Sequence, residues 1–256
     1  MTTPLEKTIK SEIRIKGREN AERSTFVLIP GAGGMASYWN RVASLLEQAH
    51  QEPIPVDLPG DDASVSLNDY ADIVARAIGT RSNVILVAHS LGGFTAPLVC
   101  ARVPIRQLIF VNAMIPEAGE TAGAWWGNTG APQARVAAAE NGGYSAEFDL
   151  QTYFLHDVPE AVLRDGPARP REQSDSIFQY PCGFRDWPAI PIHVIASADD
   201  RFFPLDFQRR VAIDRLGKEV EVVPGGHLVA LSRPTELVDL LLRFEREPFQ
   251  PNLQGN

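Results

Sequence analysis

Short, densely apolar runs alternate with longer amphipathic stretches along most of this chain. FVLIP, EPIPVDLPG, NVILVAH, QLIFVNA, IHVIASA and EVEVVPG read as strands, because each is a short run rich in β-branched residues and bounded by turn formers. Between them the period changes. Over residues 66–79, Leu67, Tyr70, Ile73, Val74 and Ile78 recur at three- and four-residue steps and define one buried helical face. Residues 36–48, 91–102, 205–216 and 234–246 read as helices too. Strand and helix in alternation predict an α/β fold, a mostly parallel central sheet flanked by helices. Within 91–102, Pro97 lacks a donor and crowds the preceding turn, so a kink or early irregularity is expected there.

The alternation stops between residues 114 and 187, where glycine, proline and alanine increase and short helical pieces, 132–140 and 159–164, are separated by loops. Parallel sheets bind ligands beyond the carboxyl ends of their strands, so an insertion leaving a strand end there is placed to fold over the site. The expected organisation is a core of residues 1–113 and 188–256 with a mainly helical lid, 114–187. Residues 247–256 read as a loose tail, and no internal repeat is present.

Candidate chemistry sharpens at residues 83–93, NVILVAHSLGG, where an apolar strand runs into a serine among small residues. A nucleophile elbow has this form: strand turns abruptly into helix, the serine stands at the tip, and its neighbours are small so that strand and helix pass closely. Ala88 stands at the first glycine position of G-x-S-x-G, and Gly92 and Gly93 follow. The plainer alternative is a serine capping an ordinary helix. A serine hydroxyl needs a base, usually a histidine oriented by a buried carboxylate. His227 follows a predicted strand and two glycines, and Asp199 and Asp200 follow another strand, so either acid is a candidate. His50, His89, His156 and His193 fall on separate elements without ligand spacing, so neither a metal nor another cofactor is expected.

An acyl-transfer site also needs backbone donors for an oxyanion. The turn Pro30-Gly31-Ala32-Gly33-Gly34 follows the first strand, and the amides of Ala32 and Leu91 are the candidate pair. The same turn has a rival reading. Gly31, Gly33 and Ala36 match a dinucleotide-binding fingerprint, with Asp57 as the ribose acid. Against it, Pro30 interrupts the passage from strand to glycine, and Ser90, Asp200 and His227 are left unexplained.

Composition narrows the function classes further. At 256 residues the chain suffices for one large α/β domain, and its net charge of −8 offers no basic surface to nucleic acid phosphates. Two separated cysteines, Cys100 and Cys182, make no disulfide framework and suggest a reducing compartment. The first residues contain no signal-type apolar core and no run reaches membrane-spanning length, so a cytoplasmic protein with a small-molecule partner is expected.

The order Ser, Asp, His with an insertion between serine and acid resembles the α/β-hydrolase superfamily over nearly the full length. FVLIPGAGGMASYWNRVASLLEQ, IPVDLPG, AHSLGGFTAPLVCARVP and LIFVNAMIPEAGE are most similar to the branch of plant methylesterases and hydroxynitrile lyases and their bacterial relatives. The resemblance implies that Asp200, with Pro204 four residues on, is the triad acid beside Ser90 and His227. It implies a serine carboxylesterase, and the aromatic residues of the insertion suit a small, mostly apolar ester. Trp125, Trp126, Tyr153, Phe154, Phe178 and Tyr180 are then candidate pocket walls or the lid's own core, with His156 the polar candidate for touching ligand. Two departures stand out: Pro30 replaces the usual histidine of the oxyanion turn, and Leu228 occupies the position after the histidine where hydroxynitrile lyases carry lysine. Hydroxynitrile lyase-like chemistry, carbon–carbon bond hydrolysis, and a receptor role without turnover are the alternatives.

Overall fold

The computed structural model of the protein describes residues 23–166 and 170–247. The N-terminal stretch read for a signal segment, and all of the expected tail but Glu247, lie outside the described residues. Six strands form one parallel sheet: β1 (Thr25–Ile29), β2 (Glu52–Pro55), β3 (Val84–His89), β4 (Gln107–Val111), β5 (Ile192–Ser197) and β6 (Glu221–Val223), in the order β2-β1-β3-β4-β5-β6. β1, β3 and β4 are buried along their whole length, as strands covered on both faces must be.

Side-chain alternation divides the core between the two faces. Val27, Ile29, Val84, Leu86 and Phe110 point to one side, where α2 (Leu67–Ile78) and α3 (Gly92–Cys100) pack. Phe26, Leu28, Ile85, Val87 and Ile109 point to the other, against α1 (Asn40–Gln48) and the C-terminal helix Pro234–Glu245. The start of α2 is fixed by a capping box, in which Ser66 accepts from the Asp69 amide and the Asp69 carboxylate accepts from the Ser66 amide. Two sequence expectations change in detail. Residues 36–48 divide into a 3-10 turn, Ala36–Trp39, and α1. α3 continues through Pro97 to Cys100; the proline removes one hydrogen bond, but residues 92–99 are enclosed on all sides and packing holds the helix.

Between β4 and β5 the chain forms α4 (Ala122–Thr129), α5 (Ala131–Gly142), one turn of π-helix at Gln151–Leu155, α6 (Glu160–Asp165) and a 3-10 turn, Asp175–Gln179. The stem of this segment is tied firmly. Trp125 Nε1 donates to Ile115 O at 3.0 Å, and Arg215 from α7 (Leu205–Leu216) donates to the same carbonyl at 2.7 Å while forming a buried ion pair with Glu120. Cys182 N donates to Glu120 O and Gly119 N to Cys182 O, both at 2.8 Å. The last helices are α8 (Val229–Ser232) and α9 (Pro234–Glu245). Among the described residues no helix is long and apolar enough to cross a membrane.

Candidate active site

Ser90 leaves β3 with φ 50°, a left-handed conformation that a side chain adopts only when its surroundings impose it. Here they do. A methyl group on Gly93 would strike Met114 O, one on Gly92 would strike Pro30 O and Ile29, and one on Gly31 would strike Ser90 Cβ. The turn closes with Gly93 N and Met114 N both donating to Ser90 O at 3.0 Å. The small residues around the serine therefore allow three chain segments to converge, with the hydroxyl at the carboxyl edge of the sheet.

His227 and Asp200 arrive at the same edge from the loops after β6 and β5. Asp200 is buried, and its Oδ2 accepts from His227 Nδ1 at 2.8 Å, while Oδ1 accepts from the amides of Phe202 and Phe203, each at 2.8 Å. A carboxylate only accepts, so Nδ1 carries a proton, and in the neutral imidazole Nε2 is bare. That bare nitrogen lies 3.0 Å from Ser90 Oγ. The rings of Phe154, Phe202 and Phe203 surround the imidazole, with centroids 4.9 to 5.1 Å away. Asp199 does not reach the imidazole pair: it is exposed, its amide donates to Gly225 O at 2.9 Å, and its carboxylate accepts from Gly225 N at 3.2 Å.

The carbonyl of His227 is held by two further side chains. His89 Nε2 donates to it at 2.9 Å and Asn112 Nδ2 at 3.1 Å. Burial, and the nearby His227, push the His89 pKa well below its ordinary value, so the ring is neutral; it stacks on Tyr38 at 4.4 Å. Asn112 is wholly enclosed, has φ 45°, and also exchanges hydrogen bonds with Ser197 at 2.8 Å. It fastens the end of β4 to β5 and to the histidine loop.

A methyl group on Gly31 would come within 3.4 Å of Ser90 Oγ, and among the described residues neither the Ala32 nor the Leu91 amide is taken up by a protein acceptor. Next in the turn, Gly33 N donates to Gln173 Oε1 at 3.0 Å. Arg171 donates to Leu58 O at 2.5 Å and to Asp57 at 2.9 Å, while Asp57 also accepts from Ala36 N at 3.0 Å. Asp57, the ribose acid of the rival fingerprint, is thus engaged in bracing the turn.

Of the candidate wall residues, Phe154 stands against His227 and Trp126 against Phe202 and Phe203. Trp125 is fully enclosed and packs on Phe203 and Phe207. His156 points its Nε2 toward Gly226, buried and without a hydrogen-bond partner among the described residues. His89, Asn112, Asp157, Arg171 and Gln173 escape sequence reasoning as site residues. Their only signals were an asparagine directly after an apolar strand and the glycine pair before His227.

Comparison with known proteins agrees with this architecture. Methylesterase 9 of Arabidopsis thaliana is 26% identical over 259 aligned residues, covering 86% of this chain and 97% of the plant protein. Esterase PIR7B of Oryza sativa subsp. japonica is 24% identical, covering 88% and 97%. The crystal structure of a pyrethroid hydrolase from Sphingobium faniae JZ-2 superposes with a TM-score of 0.70 at 21% identity, covering 89% of this chain and 99% of that one. The sequence profile of the alpha/beta hydrolase family matches residues 26–240, and this chain belongs to that family.

Proposed function

We propose that the protein is a serine carboxylesterase acting on small, mostly apolar esters. The observation that carries this reading is the continuous path from Asp200 Oδ2 to His227 Nδ1 at 2.8 Å and from His227 Nε2 to Ser90 Oγ at 3.0 Å, beside a glycine turn. Ser90 Oγ attacks the ester carbonyl as its proton passes to His227 Nε2. The carbonyl oxygen takes negative charge and is stabilised by the amides of Ala32 and Leu91. Collapse expels the alcohol with the proton from His227, leaving an acyl-Ser90; water attacks it by the same proton route and releases the acid. Asp200 keeps the imidazole in the productive tautomer and balances its charge when protonated.

In this reading residues 114–187 form a lid, and Phe154 and Trp126 wall the acyl or alcohol pocket. The methylesterases and esterases among its relatives support ester over carbon–carbon bonds, and Leu228 in place of a lysine after the histidine removes the cation a hydroxynitrile lyase needs for cyanide. Two unpaired thiols, Cys100 and Cys182, support a reducing, cytoplasmic setting.

Steady-state hydrolysis of p-nitrophenyl acetate, butyrate and octanoate beside Ser90→Ala tests the reading. Turnover by the wild type and a loss of about 10⁴- to 10⁶-fold in the variant are expected. A folded wild type inert toward all three, or a variant with wild-type rate, overturns it.

A further inference from the structure

The insertion touches the histidine loop directly. Immediately after the π-helical turn Gln151–Leu155, Asp157 reaches the glycine pair that precedes His227. Its Oδ2 accepts from Gly226 N at 2.6 Å. The carboxylate lies so close that a Cβ on Gly226 would meet Oδ1, and one on Gly225 would come within 3.1 Å of Oδ2. The same turn sets the Phe154 ring 4.9 Å from the His227 imidazole. One short stretch of the insertion therefore grips the histidine from its ring side and from the backbone before it. A π-turn at this place is consistent with a functional constraint, because such turns realign side chains at the cost of regular helix hydrogen bonding.

Among the described residues Asp157 is hydrogen-bonded through one carboxylate oxygen only. Its Oδ1 is buried without a hydrogen-bond partner among the described residues, as is His156 Nε2 beside it. A carboxylate with one oxygen unsatisfied costs folding free energy. We infer that Asp157 is a positioning residue for His227: it fixes the Gly225-Gly226 turn through the Gly226 amide, so the insertion's location is coupled to the alignment of the imidazole with Ser90. Asn112 and His89 restrain the His227 carbonyl from the sheet side, and Asp157 supplies the opposing restraint. The inference rests on His227 serving as the base.

The test uses the full chain, with steady-state p-nitrophenyl butyrate hydrolysis and the rate at which a fluorophosphonate labels Ser90. Misalignment of about 1 Å typically costs about 100-fold in rate. Asp157→Ala is expected to lower kcat by roughly 10- to 100-fold and to slow labelling in parallel, with KM within about twofold. Asp157→Asn, whose amide oxygen still accepts from Gly226 N, is expected to return kcat to within about threefold of wild type. If Asp157→Ala does not fold, Asp157→Ser, too short to reach the amide, carries the same expectation. Wild-type kcat in the alanine or serine variant, a rise in KM alone, or an asparagine variant as slow as alanine overturns the inference and leaves the esterase reading standing. A wild type that neither hydrolyses ester nor labels at Ser90 overturns both.

Discussion

Ser90 and His227 come within 3.0 Å of each other, but opposite means hold them there. The serine is positioned by exclusion: Gly31, Gly92 and Gly93 each face atoms that leave no space for a side chain, and the left-handed backbone follows from that crowding. The histidine is positioned by attachment. Its loop is held by Asn112 after β4, His89 at the end of β3, Asp199 after β5 and Asp157 from the insertion. Close packing resists displacement over a few tenths of an ångström, whereas hydrogen bonds from separate elements yield one at a time. The elbow should therefore fail in folding, and the histidine loop in rate.

The largest effect belongs to the attached side. Asp200→Asn presents a donor to His227 Nδ1, reverses the tautomer and turns an N–H toward Ser90, so kcat for a p-nitrophenyl ester should fall by about 10⁴-fold with little change in the urea midpoint. A loss under tenfold would detach Asp200 from the chemistry. Next, Gly93→Ala forces α3 away from Met114 and should cost up to about 3 kcal/mol in urea unfolding. An unchanged midpoint would show that the elbow is not held by crowding.

Acid should act on the attachment of the histidine loop at an intermediate scale. The His89 pKa is held well below its ordinary value by burial, so below about pH 6.5 the unfolded chain binds a proton that the native protein does not. From His89 alone, stability should be level above that pH and fall by up to about 1.4 kcal/mol per pH unit beneath it, as followed by chemical unfolding at pH 7.5, 6.5 and 5.5. His193, also lowered mainly by burial, acts in the same direction. Stability rising on acidification would contradict a neutral, buried His89. The smallest effect is expected of Asp199→Asn: an exposed carboxylate at 3.2 Å from one amide should alter kcat by no more than about threefold.

The same contrast governs what could be read from sequence. NVILVAHSLGG announces its elbow because every residue that makes the turn lies within or beside that string, and the helix read over 205–216 is found as Leu205–Leu216. Period and composition also foretold the parallel sheet, since strands covered on both faces must be apolar throughout. Asp157, Asn112 and His89 gave little or no signal because their partners lie 69, 115 and 138 residues away along the chain, where no local pattern survives. Arg171 and Gln173 were silent for the same reason, although they brace the glycine turn from within the insertion. The aromatic residues of that segment marked it as apolar without distinguishing Trp125, enclosed by Phe203 and Phe207, from Phe154 at the imidazole.

The stem built from Trp125, Glu120, Arg215 and the Gly119–Cys182 pairing bears on how such a protein can be recombined. Arg215 belongs to α7, beyond the segment's return to the sheet, so the segment's anchorage is partly encoded outside it. A chimaera that imports a foreign segment at residue 114 while keeping this core would leave Arg215 buried opposite an arbitrary side chain. Transplantation succeeds only when the acceptor at 120 travels with its cation or when both are replaced by apolar residues of matching volume.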